Sequence, residues 1–180
     1  MLLVKPFLAH CCMQKYQTFW PRFCAGFIDG LVFLPLSFVD SFLSAPERPP
    51  VIIIVWSGII YSSYWLYSVL LHSRYGQTLG KMAMKIKVLD VSEARIPSFR
   101  QAFLRDIGYI VLNTLSLAYL VYLVLAGEYV AGAEISSLPG RILMWASLGW
   151  FFLEIVTMAT NEKRRAFHDF IAGTVVIRNA

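Results

Sequence analysis

Four long apolar stretches limit what this chain can fold into more than any other feature. A helix needs about 20 apolar residues to cross roughly 30 Å of hydrocarbon. Residues 23–42 form one such run, broken only by Asp29 and Asp40. Residues 51–71, VIIIVWSGIIYSSYWLYSVLL, form a second with no charge at all. Residues 107–126 are the third, and residues 142–160, with Glu154 inside, are the fourth. A single run fits a buried helix of a soluble protein; four in 180 residues do not. Composition agrees. Hydrophobic residues make up 58% of the chain and charged residues 15%, against about 45–50% and about 25% in soluble domains. The expected fold is all-α: a polytopic membrane protein with four transmembrane helices, one domain covering residues 1–180.

Charge placement orients the bundle. Fourteen of the sixteen Lys and Arg residues lie before the first run, between the second and third, or after the fourth. Loops rich in Lys and Arg stay cytoplasmic. Both termini are therefore expected in the cytoplasm, together with loop 72–106. The net charge of +5 follows from this bias, and attraction to anionic lipid headgroups accounts for it without a nucleic-acid partner. Lys81, Lys85, Lys87, Lys163, Arg164 and Arg165 are the expected lipid contacts, with Trp20, Trp56 and Trp145 as interfacial belts. The opening MLLVKPFLAHCCMQKY lacks the basic, apolar and small-residue parts of a cleaved signal in that order, so it reads as a cytoplasmic tail. Cys11 and Cys12 are not expected to form a disulfide framework there. With His10 they lack the second ligand cluster that a metal site needs. No metal or other cofactor is expected.

The loop between the second and third runs is patterned. Leu79, Met82, Ala83 and Ile86 recur at helical spacing with Lys81 and Lys85 off that face, which suits a helix lying in the headgroup plane. From Met84 to Val88 apolar residues alternate with Lys85 and Lys87, as in a strand. The C-terminal GTVVIRNA alternates weakly and is expected to pair with KIKVLD, closing a small cytoplasmic cap. Pro97, Ser98 and Gln101 signal a helix start with a capping box. Arg100 and Arg105 are then expected to snorkel toward headgroups. Gly76 and Gly80 supply turn freedom but lack the spacing of a phosphate loop.

The segments PRFCAGFIDG, RYGQTLGKMAMKIKVLD, FRQAFLRD and KRRAFHDFIAGTVVI resemble the signature segments of the RDD family of membrane proteins. The family's defining Arg and two Asp correspond to Arg22, Asp29 and Asp169. Cys24 departs from the aliphatic residue more usual at its position. The resemblance implies a small multi-pass protein of the bacterial cytoplasmic (inner) membrane. It also implies one of two roles: some relatives have been proposed as sodium/proton antiporters, and others are thought to accompany membrane transport machinery.

Charges inside the apolar runs are the candidate functional groups, because an intramembrane ionisable residue is costly and needs a partner or a wet cavity. Arg22 and Asp29 are about two turns apart and share a face, with roughly 10 Å of rise between them. Each is therefore expected to have its own partner, Asp169 being the natural one for Arg22. Glu154 has no basic neighbour in sequence, and Asn113, Thr114 and Ser116 are its expected hydrogen-bonding partners. A proton carrier needs a carboxyl that desolvation or a like-charged neighbour keeps protonated; Asp29 facing Glu154 would provide one. Asp106 is placed to reach the interface. His168 and Asp169 are adjacent, so on a helix they point about 100° apart, and no nucleophile motif accompanies them. Enzyme activity is not expected. Two readings stand: an ion-coupled (sodium/proton) transporter that works as a homo-oligomer, or a non-catalytic accessory or scaffold subunit binding another membrane protein or lipids.

Overall fold

Pro35 decides the shape of the first apolar run. Proline lacks an N–H, and its ring crowds the carbonyl four residues back. In the computed structural model, which describes residues 15–130 and 136–179, the run is two helices, α1 (Phe19–Val32) and α2 (Leu34–Leu43). Their axes bend by 47° at Phe33. The unbroken helix expected over residues 23–42 is corrected accordingly. His10, Cys11 and Cys12 lie outside the described residues.

Among the described residues, three helices are long and apolar enough to cross a membrane: α3 (Pro50–Tyr75), α5 (Phe99–Leu125) and α6 (Leu138–Thr160). The bent α1–α2 pair makes a fourth span if it counts as one. Each long helix extends beyond its apolar run, because its start is set by local chemistry rather than hydropathy. Pro50 opens α3 at a position where the missing N–H costs nothing. Ser98 and Gln101 cap α5 reciprocally: the Ser98 hydroxyl accepts the Gln101 N–H and the Gln101 side chain accepts the Ser98 N–H. The Ser137 hydroxyl accepts the Gly140 N–H at the start of α6.

α3 packs along α5 more extensively than any other two elements pack together. Ile53, Leu120 and Val124 form a small core near one end of this pair. α6 meets α5 at Gly108, where a Cβ would stand 2.2 Å from the Trp150 ring. The outer helix faces stay apolar and uncovered, with only 6% of the apolar window of α6 buried.

The opposite end carries the short elements. β1 (Ile86–Asp90) pairs antiparallel with β2 (Thr174–Arg178), Val88 standing opposite Val176. Ile86, Val88 and Val176 pack on Ala25 of α1. Ile86 therefore belongs to a strand core and not to the amphipathic stripe of Leu79, Met82 and Ala83. That stripe shrinks to the five-residue α4 (Leu79–Ala83), with Leu79 and Met82 exposed. α7 (Phe167–Ala172) leads into β2.

Candidate functional site

Among the described residues four buried carboxylates, Asp29, Asp106, Glu154 and Asp169, lie on α1, α5, α6 and α7, and each has a different environment. Asp29, on α1, is 1% exposed. Its Oδ1 accepts the Tyr67 hydroxyl and the Gly80 N–H, both at 2.7 Å. Its Oδ2 accepts the Thr78 hydroxyl at 2.6 Å. Thr78 is itself the N-cap of α4. The carboxylate thus holds the start of α4 against α1 and α3. The approach requires glycine: a Cβ on Gly80 would lie 2.1 Å from the Ala25 carbonyl oxygen and 2.9 Å from Asp29 Cγ.

Asp169, on α7, is fully buried. Oδ2 pairs with Arg22 Nη1 at 2.5 Å and accepts the Ala166 N–H at 3.0 Å. Oδ1 pairs with Arg105 Nη1 at 2.9 Å and accepts the Thr174 hydroxyl. Burial works to raise the pKa of this carboxyl. The Arg105 and Arg22 guanidiniums overcome that and hold it well below the usual carboxylate range. One side chain therefore clamps α1 and α5 to α7.

Glu154, on α6, pairs its Oε1 with His168 Nδ1 at 2.7 Å and accepts the Trp150 indole N–H at 2.7 Å. Its Oε2 accepts the Tyr109 hydroxyl at 3.0 Å. Asp106, on α5, is buried, and on α3 the buried Ser68 Oγ lies 3.1 Å from His72 Nδ1.

A family model for the RDD family matches residues 16–173, most of the chain. The chain belongs to the RDD family. No curated protein and no solved structure matches it. This RDD protein is thus a membrane protein with several apolar helices, and its Arg22 and Asp169 meet directly.

Several positions differ from the sequence expectation. Asp29 and Glu154 share no partner, since Asp29 turns toward α4 and Glu154 toward α7. Tyr109, Trp150 and His168 surround Glu154, in place of Asn113, Thr114 and Ser116. Arg105 does not snorkel: it lies on the α5 face that meets α7 and is buried against Asp169. Asp106 is likewise buried.

Of the basic residues expected at lipid, Lys85 is exposed, whereas Lys81 and Lys87 are half-buried. Lys163 pairs with Glu93 at 2.9 Å. Arg164 donates to the Met158 and Ala159 carbonyls at the end of α6. Arg165 donates to the Thr174 and Asp169 carbonyls and stacks over Phe170. Glu93 also takes Lys15 at 2.6 Å and the Tyr16 hydroxyl at 2.5 Å. Partial burial opposes ionisation of Glu93, but these three donors bring its pKa down to about 2. Trp56 is tied to Asp40 through its indole N–H, while Trp20 and Trp145 stay exposed.

Tyr67, Thr78 and Gly80 were not among the sequence candidates. Their signal was the GQTLGK run, whose Thr and second Gly are the residues that meet Asp29. Among the described residues no group of three or more His, Cys, Asp or Glu is arranged to hold a metal ion.

Proposed function

We propose that this RDD protein exchanges protons for a small monovalent cation such as sodium across the bacterial cytoplasmic membrane. In this reading both termini and the sheet end face the cytoplasm. Glu154 paired with His168 is the exchanging group. The observation that carries the reading is the 2.7 Å contact between Glu154 Oε1 and His168 Nδ1. Histidine serves in proteins as a proton shuttle, and a carboxylate in contact with an imidazole offers a proton a second acceptor beside it. Asp29 differs, because its donors are two hydroxyls and a backbone N–H. Asp169 differs too, because two guanidiniums that never deprotonate hold it. Asp29, Arg22, Arg105 and Asp169 then serve as anchors for α4 and α7. Four spans are few for a complete path, so the working unit is a homo-oligomer whose copies meet along the uncovered apolar faces. Gradient-driven proton flux in proteoliposomes tests the proposal. Wild type should conduct and folded Glu154→Gln should not.

One observation favours the second reading, an accessory subunit. The apolar face of α6, with Trp145 66% and Phe152 60% exposed, offers a docking surface for another membrane protein. Co-purification of a partner that is lost on Trp145→Ala, with no flux from the protein alone, would favour that reading.

A further inference from the structure

Arg164 and Arg178 take no part in the clamps above. Arg22 and Arg105 share Asp169, and Lys15 and Lys163 share Glu93. Among the described residues no acidic side chain pairs with Arg164 or Arg178. Both line one cleft of about 410 Å³ between the start of α1, the end of α6 and the end of β2. Pockets that take small ligands run from about 300 to 1,000 Å³.

Local structure brings both guanidiniums there. Arg164 Nη1 donates to the Met158 and Ala159 carbonyls at 3.4 and 3.0 Å, groups that a helix leaves open in its last turn. A guanidinium has five N–H donors, so the Nε–Nη2 edge is left over. Val176 packs on Ala25 of α1. Arg178 lies two residues on and shares that face of β2, which turns it toward α1. The apolar wall comes from Phe19, Trp20 and Ala159. Trp20, Phe23 and Phe27 recur at i, i+3 and i+7, on one face of α1, and all three are exposed. On α6, Phe152, Val156 and Ala159 recur at i, i+4 and i+7 and are exposed as well. Two apolar stripes therefore run from the cleft along helices that belong in hydrocarbon. A water-soluble anion would use the arginines and leave the stripes idle. A ligand with a charged head and acyl tails uses both.

We infer that this cleft is a binding site for one anionic phospholipid. Its phosphate is held between Arg164 and Arg178, and its acyl chains lie along the exposed stripes of α1 and α6. Guanidinium suits phosphate because its fork of parallel N–H donors matches the oxygens. The exposed Gln17 side chain, at the same cleft, adds an amide for the polar headgroup. The Trp20 ring takes the level that aromatic belts favour, between headgroup and hydrocarbon. With this end in the cytoplasm, as the Lys and Arg bias indicates, the site meets the leaflet of negative surface potential. The inference does not rest on proton exchange: a lipid so bound ties α1, α6 and β2 together in a transporter or an accessory subunit alike.

Native mass spectrometry of the full chain in mild detergent, with phosphatidylglycerol or phosphatidylcholine added, counts the lipids that stay bound. Wild type should retain one phosphatidylglycerol in preference to phosphatidylcholine. Arg164→Gln and Arg178→Gln should each weaken that binding by about fivefold or more, the effect of one cation on an anionic headgroup. Arg100→Gln, at an exposed arginine outside the cleft, should leave it unchanged. Glycerol 3-phosphate, a head without tails, should not displace the lipid. Should Arg164→Gln fail to fold because it opens the end of α6, Arg178→Gln at the exposed strand end carries the test alone. Equal retention of the two lipids, wild-type binding in folded Arg178→Gln, or an equal loss in Arg100→Gln overturns the site. Displacement by glycerol 3-phosphate would make the ligand a soluble phosphate and overturn the lipid assignment. Dimers that Arg178→Gln dissociates, with no lipid bound, would give the cleft to a second copy and overturn it as well.

Discussion

Asp169→Asn removes one negative charge from the centre of the clamp. The side chains of Arg22 and Arg105 are 8% and 4% exposed, so the variant leaves two buried guanidiniums without their carboxylate. Breaking a buried pair by removing one partner costs about 3–5 kcal/mol. The upper end is expected, because one carboxylate serves two cations. Asparagine keeps one acceptor oxygen, so part of the contact with the Ala166 N–H and the Thr174 hydroxyl survives. For a chain of this size each kcal/mol lowers Tm by about 2–4 °C, which gives a fall of about 6–20 °C. The assay is thermal unfolding in mild detergent, followed by circular dichroism. Removing one stranded cation should recover part of the loss, so Arg105→Gln/Asp169→Asn should be less damaged than the sum of its single variants, with a coupling of about 0.5–3 kcal/mol. The pH profile gives a second reading. The folded carboxyl titrates below the usual range, while the unfolded one titrates near about 3.9. Its contribution is therefore complete above that unfolded value and is lost only as pH falls toward the depressed folded one. Asp169→Asn should flatten this acid limb. A variant that melts within about 2 °C of wild type, with additive double-variant losses, would refute the clamp.

Other consequences follow from the same contacts. Gly80→Ala pushes a methyl into the Ala25 carbonyl and should cost about 1–3 kcal/mol, with faster tryptic cleavage at Lys81 and Lys85 as α4 lifts away. Gly108→Val drives atoms into the Trp150 ring; it should lower Tm and shift tryptophan emission as α5 and α6 separate. Glu93→Gln removes the carboxylate that pairs with Lys15 and Lys163, both partly exposed, so the loss should not exceed about 1 kcal/mol and should fade in high salt. In the wild type that contribution is present above the unfolded carboxylate value of about 4.3 and is lost as pH falls toward about 2; Glu93→Gln should remove this dependence from acid titrations of stability.

The apolar runs were legible because lipid imposes a length and a composition on any spanning helix. The Pro35 break was equally visible in the sequence, but a hydropathy window averages over it. The strands at residues 86–90 and 174–178 followed from alternation, since side chains of a strand point to opposite faces. The partners of the buried charges were less legible. Trp150 precedes Glu154 by one turn, a spacing that places both on one helix face. Tyr109 and His168 reach Glu154 only through the packing of α5 and α7 on α6, which no local rule supplies. Arg105 looked like a snorkelling residue because its apolar stem and helix-end position fit that habit equally well. The register of α5 against α7 turns it inward instead.

The most direct test is proton movement in proteoliposomes under an imposed sodium or potassium gradient, expressed per folded molecule. Wild type, Glu154→Gln, His168→Gln and Asp29→Asn should be compared. The account predicts flux in wild type, none in folded Glu154→Gln or His168→Gln, and retained flux per folded molecule in Asp29→Asn despite its lower stability. Flux in wild type no greater than in empty liposomes, or equal flux in wild type and Glu154→Gln, would contradict it.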